Sequence, residues 1–172
     1  MSKKIMVRKA ADNEYLHKDF HGAMNLALEY LRKRFGGGAV RDYLRQYAKS
    51  FHAPLTRQLR RRGLGALEDY IKKIYALEGA PVSVRRARDE LVFKTRYCPA
   101  VQHVRRLKQA VSPLFIETER AVYGAICENT PYIHELVSYD RQTGRSVQRF
   151  YLAPRPGAGL RRFSAGRHGR QK

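Results

Sequence analysis

Leu91-Val92-Phe93-Lys94-Thr95-Arg96-Tyr97-Cys98-Pro99-Ala100 carries the change of period on which the fold turns. Leu91, Phe93, Thr95 and Tyr97 share one parity, and Val92, Lys94 and Arg96 the other, which is the alternation of a half-buried strand. Pro99 ends it. Proline has no N–H to give a ladder but suits the first position of a helix, so the stretch predicts a strand running into a helix over 100–107 with Cys98 as the N-cap. A thiol there faces unpaired amides and the positive end of the helix dipole, both of which favour the thiolate. Cysteine is also among the most buried residue types, so the same position equally suits a core thiol.

Reading outward, Val82 to Arg86 and Leu91 to Tyr97 flank Ala87-Arg88-Asp89-Glu90 as a hairpin, and Tyr132 to Tyr139 and Arg145 to Leu152 flank Asp140-Arg141-Gln142-Thr143-Gly144 as another, with glycine at the left-handed position. Between them, after the Cys98 helix and a loop through Ser112-Pro113, a helix is expected from Leu114 to about Cys127. Its inner arc carries Phe115, Thr118, Val122 and Ile126, with Cys127 off that arc. Upstream the period is helical. Asp12 or Asn13 caps a helix to Phe35, closed by Gly36-Gly37-Gly38, with Phe20, Ala23, Met24, Leu28 and Leu31 on one side. Val40 to Phe51 follows, with Val40, Tyr43, Leu44, Tyr47 and Phe51 inward; Pro54 interrupts it, Thr56 to Arg62 continues as a basic helix, and Leu64 to Leu77 forms the next. These elements predict an α+β fold: N-terminal helices packed on an antiparallel sheet of about four strands, made of two hairpins separated by two helices.

With 172 residues and 43% hydrophobic content, the chain suits one domain over 10–153 with a core of its own. Two cysteines make no disulfide framework and lack zinc-clip spacing, which points to a reducing, cytoplasmic setting. Neither a signal peptide nor a run of about 18 apolar residues is present, so no membrane partner is expected. Thirty-five Lys and Arg against 15 Asp and Glu give a net charge of +20. Much of the excess sits in acid-free ends, 1–9 and 154–172, which read as disordered tails. Such a surface attracts nucleic acid and other polyanions non-specifically. Aromatic residues interleave with basic ones over Arg41 to Phe51 and Arg145 to Tyr151, a pattern that single strands exploit and amphipathic elements also produce. No dinucleotide, phosphate-loop or nucleophile-elbow motif occurs.

Besides Cys98, the residues able to carry chemistry are histidines. His17 and His21 are four apart on one helix face, the spacing at which two imidazoles engage one metal, but the glutamate of a HExxH motif is missing and Asp19 projects away. They are read as catalytic bases or as boundary residues, with no metal or cofactor expected. His52 sits where Pro54 interrupts a helix, and its ring can turn inward. His103 lies five residues after the cap.

The second half, Arg96-Tyr97-Cys98-Pro99 through Ser112-Pro113-Leu114-Phe115, then Glu117-Thr118 and Tyr139-Asp140 to Arg145-Ser146-Val147-Gln148-Arg149-Phe150, resembles the L-2-amino-thiazoline-4-carboxylic acid hydrolase-like family of small bacterial cytoplasmic proteins. Tyr15-Leu16-His17-Lys18-Asp19-Phe20-His21 resembles an uncharacterised branch of that group. Relatives often carry further cysteines near the positions of Ile116 and Ser146, so Cys98 is the position carried over. The resemblance implies hydrolysis of a carboxylated five-membered ring at a C=N carbon between sulfur and nitrogen. Either a thiolate attacks first and is released by water, for which Cys98 would be the nucleophile, or a base activates water directly; His17, His21 or His103 could be the base in either route, and Arg96 and His52 are the candidate substrate-holding residues. A basic nucleic-acid-associated protein and a ligand or haem-type sensor are the alternative readings.

Overall fold

The computed structural model describes residues 19–154. The expected helix start at Asp12 or Asn13 and the tails 1–9 and 155–172 lie outside the described residues. Helix α1 (Asp19–Phe51) spans two helices joined across a kink at Gly36, whose φ of 81° no helical residue adopts. The glycine run thus closes the first helix where the sequence reading ends it, and a second helix, over the stretch read as Val40 to Phe51, follows the kink within the same span. Helices α2 (Ala53–Arg62) and α3 (Leu64–Leu77) follow, then strands β1 (Val82–Arg86) and β2 (Glu90–Thr95), helices α4 (Pro99–Arg106) and α5 (Glu117–Cys127), and strands β3 (Tyr132–Tyr139) and β4 (Ser146–Leu152).

The sheet has four strands in the order β1-β2-β4-β3, antiparallel throughout. Each hairpin is local, and the two are joined by the central β2–β4 ladder, where Leu91 faces Phe150 and Phe93 faces Gln148. The alternation read from Leu91 onward is the burial observed: Leu91, Phe93 and Thr95 are buried and Lys94 is exposed. All helical packing falls on this inner face. Helix α3 covers β1 and β2, α5 covers β3, and α1 packs across α5 and α4. Phe93 and Phe150 stack at the centre, 6.1 Å between ring centroids, with Tyr123 of α5 edge-on to both. Burying such rings contributes about 2 to 3 kcal/mol apiece.

The inner stripe of α1 is rotated from the expected one. Ala23, Tyr43 and Phe51 are exposed, while Gly22, Asn25 and Ala48 are buried beside Met24, Leu28, Val40 and Leu44. Asn25 explains part of the rotation. Its amide donates to the Ala110 carbonyl at 2.9 Å and its carbonyl accepts from the Ser112 amide at 2.8 Å, so a polar side chain fixes α1 to the loop before α5. Hydrophobic periodicity alone does not show such a clamp. Helix α5 begins at Glu117, three residues later than expected, because 113–116 form a turn.

Candidate active site

Cys98 is the N-cap of α4, as the proline spacing predicted, with extended backbone at φ −92° and ψ 122°. Two long-range contacts fix this junction. The Cys98 amide donates to the Thr143 carbonyl in the β3–β4 turn at 2.9 Å, and Gly144 lies directly against the Cys98 side chain. The strand-to-helix corner is thus held by the second hairpin, some 45 residues on.

Below this corner lies a cavity of about 200 Å³ between α1, α3 and α5. Its walls are mostly aromatic, with Phe20, Tyr47, Tyr70, Tyr75, Phe115 and Tyr123 among them. Four groups able to do chemistry line it: Cys98, His21, His52 and Glu119; Glu78, the partner of His21, lines it as well. Among the described residues no lysine or arginine does.

Glu119 is the group that the sequence reading missed. It stands three or four residues from Phe115 and Val122 and seven from Ile126, so its carboxyl is on the same face as the apolar arc; that placement was the available signal. Burial raises its pKa above the usual carboxylate value, against the opposing pull of a hydrogen bond from Gln148. The Gln148 amide donates to Glu119, and the Gln148 carbonyl oxygen accepts from His134 Nε2 at 2.8 Å. Burial pushes His134 down to about 4, so it is a neutral donor at the head of this chain. His134, Gln148 and Glu119 therefore run from β3 through β4 to the cavity wall, each orienting the next.

His21 and Glu78 form the second polar pair. His21 Nε2 and Glu78 Oε1 are 2.7 Å apart. Glu78 is the C-cap of α3, its amide bonded to the Ile74 carbonyl at 3.0 Å, and Gly79 with φ 64° turns the chain away behind it. A carboxylate against one ring nitrogen fixes the tautomer and leaves the other nitrogen basic.

The remaining expected residues separate. His17 lies outside the described residues. His52 is buried in the cavity wall, 3.5 Å from the Tyr70 hydroxyl, and burial pushes it down to about 4, so it is neutral at ordinary pH. His103 is not on the main cavity. It lines a smaller one of about 70 Å³ with Glu78 and Tyr97, its ring 6.1 Å from that of His21 and its Nε2 3.8 Å from Asp19. Arg96 is exposed beyond the end of β2 and lines neither cavity, so it does not hold a substrate there. Parity explains this, since Arg96 follows Lys94 on the outer face.

No protein-family model matches the chain, and no curated protein matches it either. Among the described residues no three of His, Cys, Asp and Glu are placed to hold a metal ion, and no helix is long and apolar enough to cross a membrane.

The expectation of a ready thiolate at Cys98 is corrected by its surroundings. Burial, and then the nearby Glu119, push the thiol up to about 12; the Val101 and Ala100 amides pull the other way but make no cap hydrogen bond. A helix N-terminus lowers a thiol pKa where water solvates the thiolate, and here the sulfur is closed in by the core. Cys127 is also buried and pushed up to about 12. Both thiols are therefore expected to resist a thiol-selective alkylator in the folded protein and to label together on unfolding. Fast native labelling of Cys98, read peptide by peptide, would restore the nucleophile reading.

Proposed function

We propose that the cavity is the active site of a small-molecule hydrolase, in keeping with the amino-thiazoline hydrolase-like family that the second half resembles. The supporting observation is that a buried carboxyl, whose pKa burial raises, and a carboxylate-paired histidine line one mostly apolar cavity. That is the arrangement of a general acid and a general base. Of the two routes open to a cyclic C=N substrate, the one in which water attacks directly fits these groups better than attack by a thiol held up to about 12.

In that route Glu119 donates its proton to the ring nitrogen, making the adjacent carbon electrophilic. His21, oriented by Glu78, takes a proton from water as its oxygen bonds to that carbon. The C–S bond then breaks, the sulfur takes up the proton from His21, and the adduct hydroxyl returns a proton to Glu119 as it becomes a carbonyl. Cys98 packs the wall beside them. The carboxylate that the resemblance implies has no arginine or lysine to meet among the described cavity residues, so the substrate proposed here is a ring without one. Exposed Arg57, Arg60 and Arg61 on α2 line none of this cavity.

The test uses the full chain with 2-aminothiazoline and with its 4-carboxylate, reading released thiol with a chromogenic disulfide. Thiol release from the unsubstituted ring, slowed at least about 100-fold by His21→Asn, is the expected result. A raised melting temperature without thiol release would make the protein a binding domain. If neither ring is turned over and neither shifts the melting curve, the proposal fails.

A further inference from the structure

The cavity carries two carboxyl groups, six of the rings named above, and no positive charge from lysine or arginine among the described residues. Tyr70 and Tyr75 from α3, Tyr123 from α5, Cys98 before α4 and Tyr139 from β3 are the titratable groups around Glu119. None of them becomes cationic. Its hydrogen-bond partner Gln148 is neutral too, and His52 in the same wall is held neutral by burial. An ionised Glu119 would thus be an unpaired charge in an apolar wall, a state that costs several kcal/mol unless a partner arrives. An aromatic ring whose face meets a cation attracts it through its quadrupole, more strongly when water is excluded.

We propose that the ligand of this cavity is a compact organic monocation, a substituted ammonium or amidinium, surrounded by the aromatic walls and paired with Glu119. The inference rests on the cavity being the ligand site and adds the charge of what it takes. It fits the hydrolytic route, since proton transfer from Glu119 to a ring nitrogen produces the same ion pair. A permanent cation that enters from water instead expels the proton from Glu119 to solvent. Glu78 lies nearer His21 and is already occupied by it.

Choline and its neutral isostere 3,3-dimethylbutan-1-ol separate charge from shape. Titrating the full chain calorimetrically with each, in two buffers of different ionisation enthalpy, should show choline binding at least about tenfold tighter and releasing a proton. In Glu119→Gln the preference and the proton release should both disappear while the isostere binds as before, and Glu78→Gln should retain both. Equal or tighter binding of the isostere to the native chain overturns the cation inference and leaves the small-molecule site standing. Choline preference that survives in Glu119→Gln and vanishes in Glu78→Gln overturns the assignment to Glu119. If neither probe binds, the cation inference is overturned, while the thiol-release assay with 2-aminothiazoline decides the site itself.

Discussion

Gly144→Ala is expected to destabilise the protein by roughly 3 kcal/mol or more, lowering the melting temperature on the order of 10 °C. Two costs act together. Gly144 has φ +70°, a conformation that alanine adopts only with strain. A Cβ there would also stand 2.4 Å from Cys98 Cβ and 2.9 Å from Val101 Cγ2. Cys98 Cβ is next to the backbone of the strand-to-helix corner and cannot swing aside as the end of a long side chain can. The turn must lift away, loosening the bond from the Cys98 amide to the Thr143 carbonyl. The measurement is a pair of thermal or denaturant melts, with Gly65→Ala as control. Nothing lies within 4 Å of a Cβ at Gly65, and no positive φ is recorded for it. A loss under 1 kcal/mol at position 144 would mean that the turn does not press on Cys98.

Glu119→Gln should lower ring opening at least about 100-fold, as much as His21→Asn, because glutamine occupies the same space without a proton to give. The same substitution should also change how stability depends on pH. The carboxyl's folded-state pKa is raised above 4.5 by burial. Its contribution is therefore full below about pH 4.5, where both folded and unfolded chains hold the proton, and is lost as pH rises through the folded value. Native protein should lose stability relative to Glu119→Gln over that rise, so the gap between their melting temperatures should widen from acid toward neutral pH in favour of the variant. A constant gap would show that Glu119 is not held protonated by the fold, and with it the general-acid role would fall.

Local rules carried the reading of the fold a long way. Alternation at Leu91 to Thr95, proline at 99 and the glycine at 144 each specify a conformation through their own backbone or parity, and each stands where they put it. The limits of α3 were equally legible, since Gly63 and Gly79 punctuate it from both ends. Distant packing decided what the sequence could not show. Cys98 has the predicted cap geometry, but its chemistry is set by residues up to 80 positions away that close over it, and by Glu119, so the local argument gave the wrong direction for its proton affinity. Glu119 could have been found as a carboxyl on an apolar face, whereas its relay through Gln148 to His134 required the register that sets Gln148 opposite Phe93. The kink at Gly36 was legible locally, since the glycine run closes one helix and a second begins beyond it.

The order β1-β2-β4-β3 also bears on how the protein assembles. Both hairpins close over a few residues and are expected to form early, but the ladder between β2 and β4 joins 90–94 to 147–151 and must wait for α4 and α5 to be drawn in. Cys98 and Glu119, with its Gln148 support, straddle that joint. The cavity is thus completed by the least local event in folding, and a transient parting of the two hairpins would dismantle it while each kept its own strands paired.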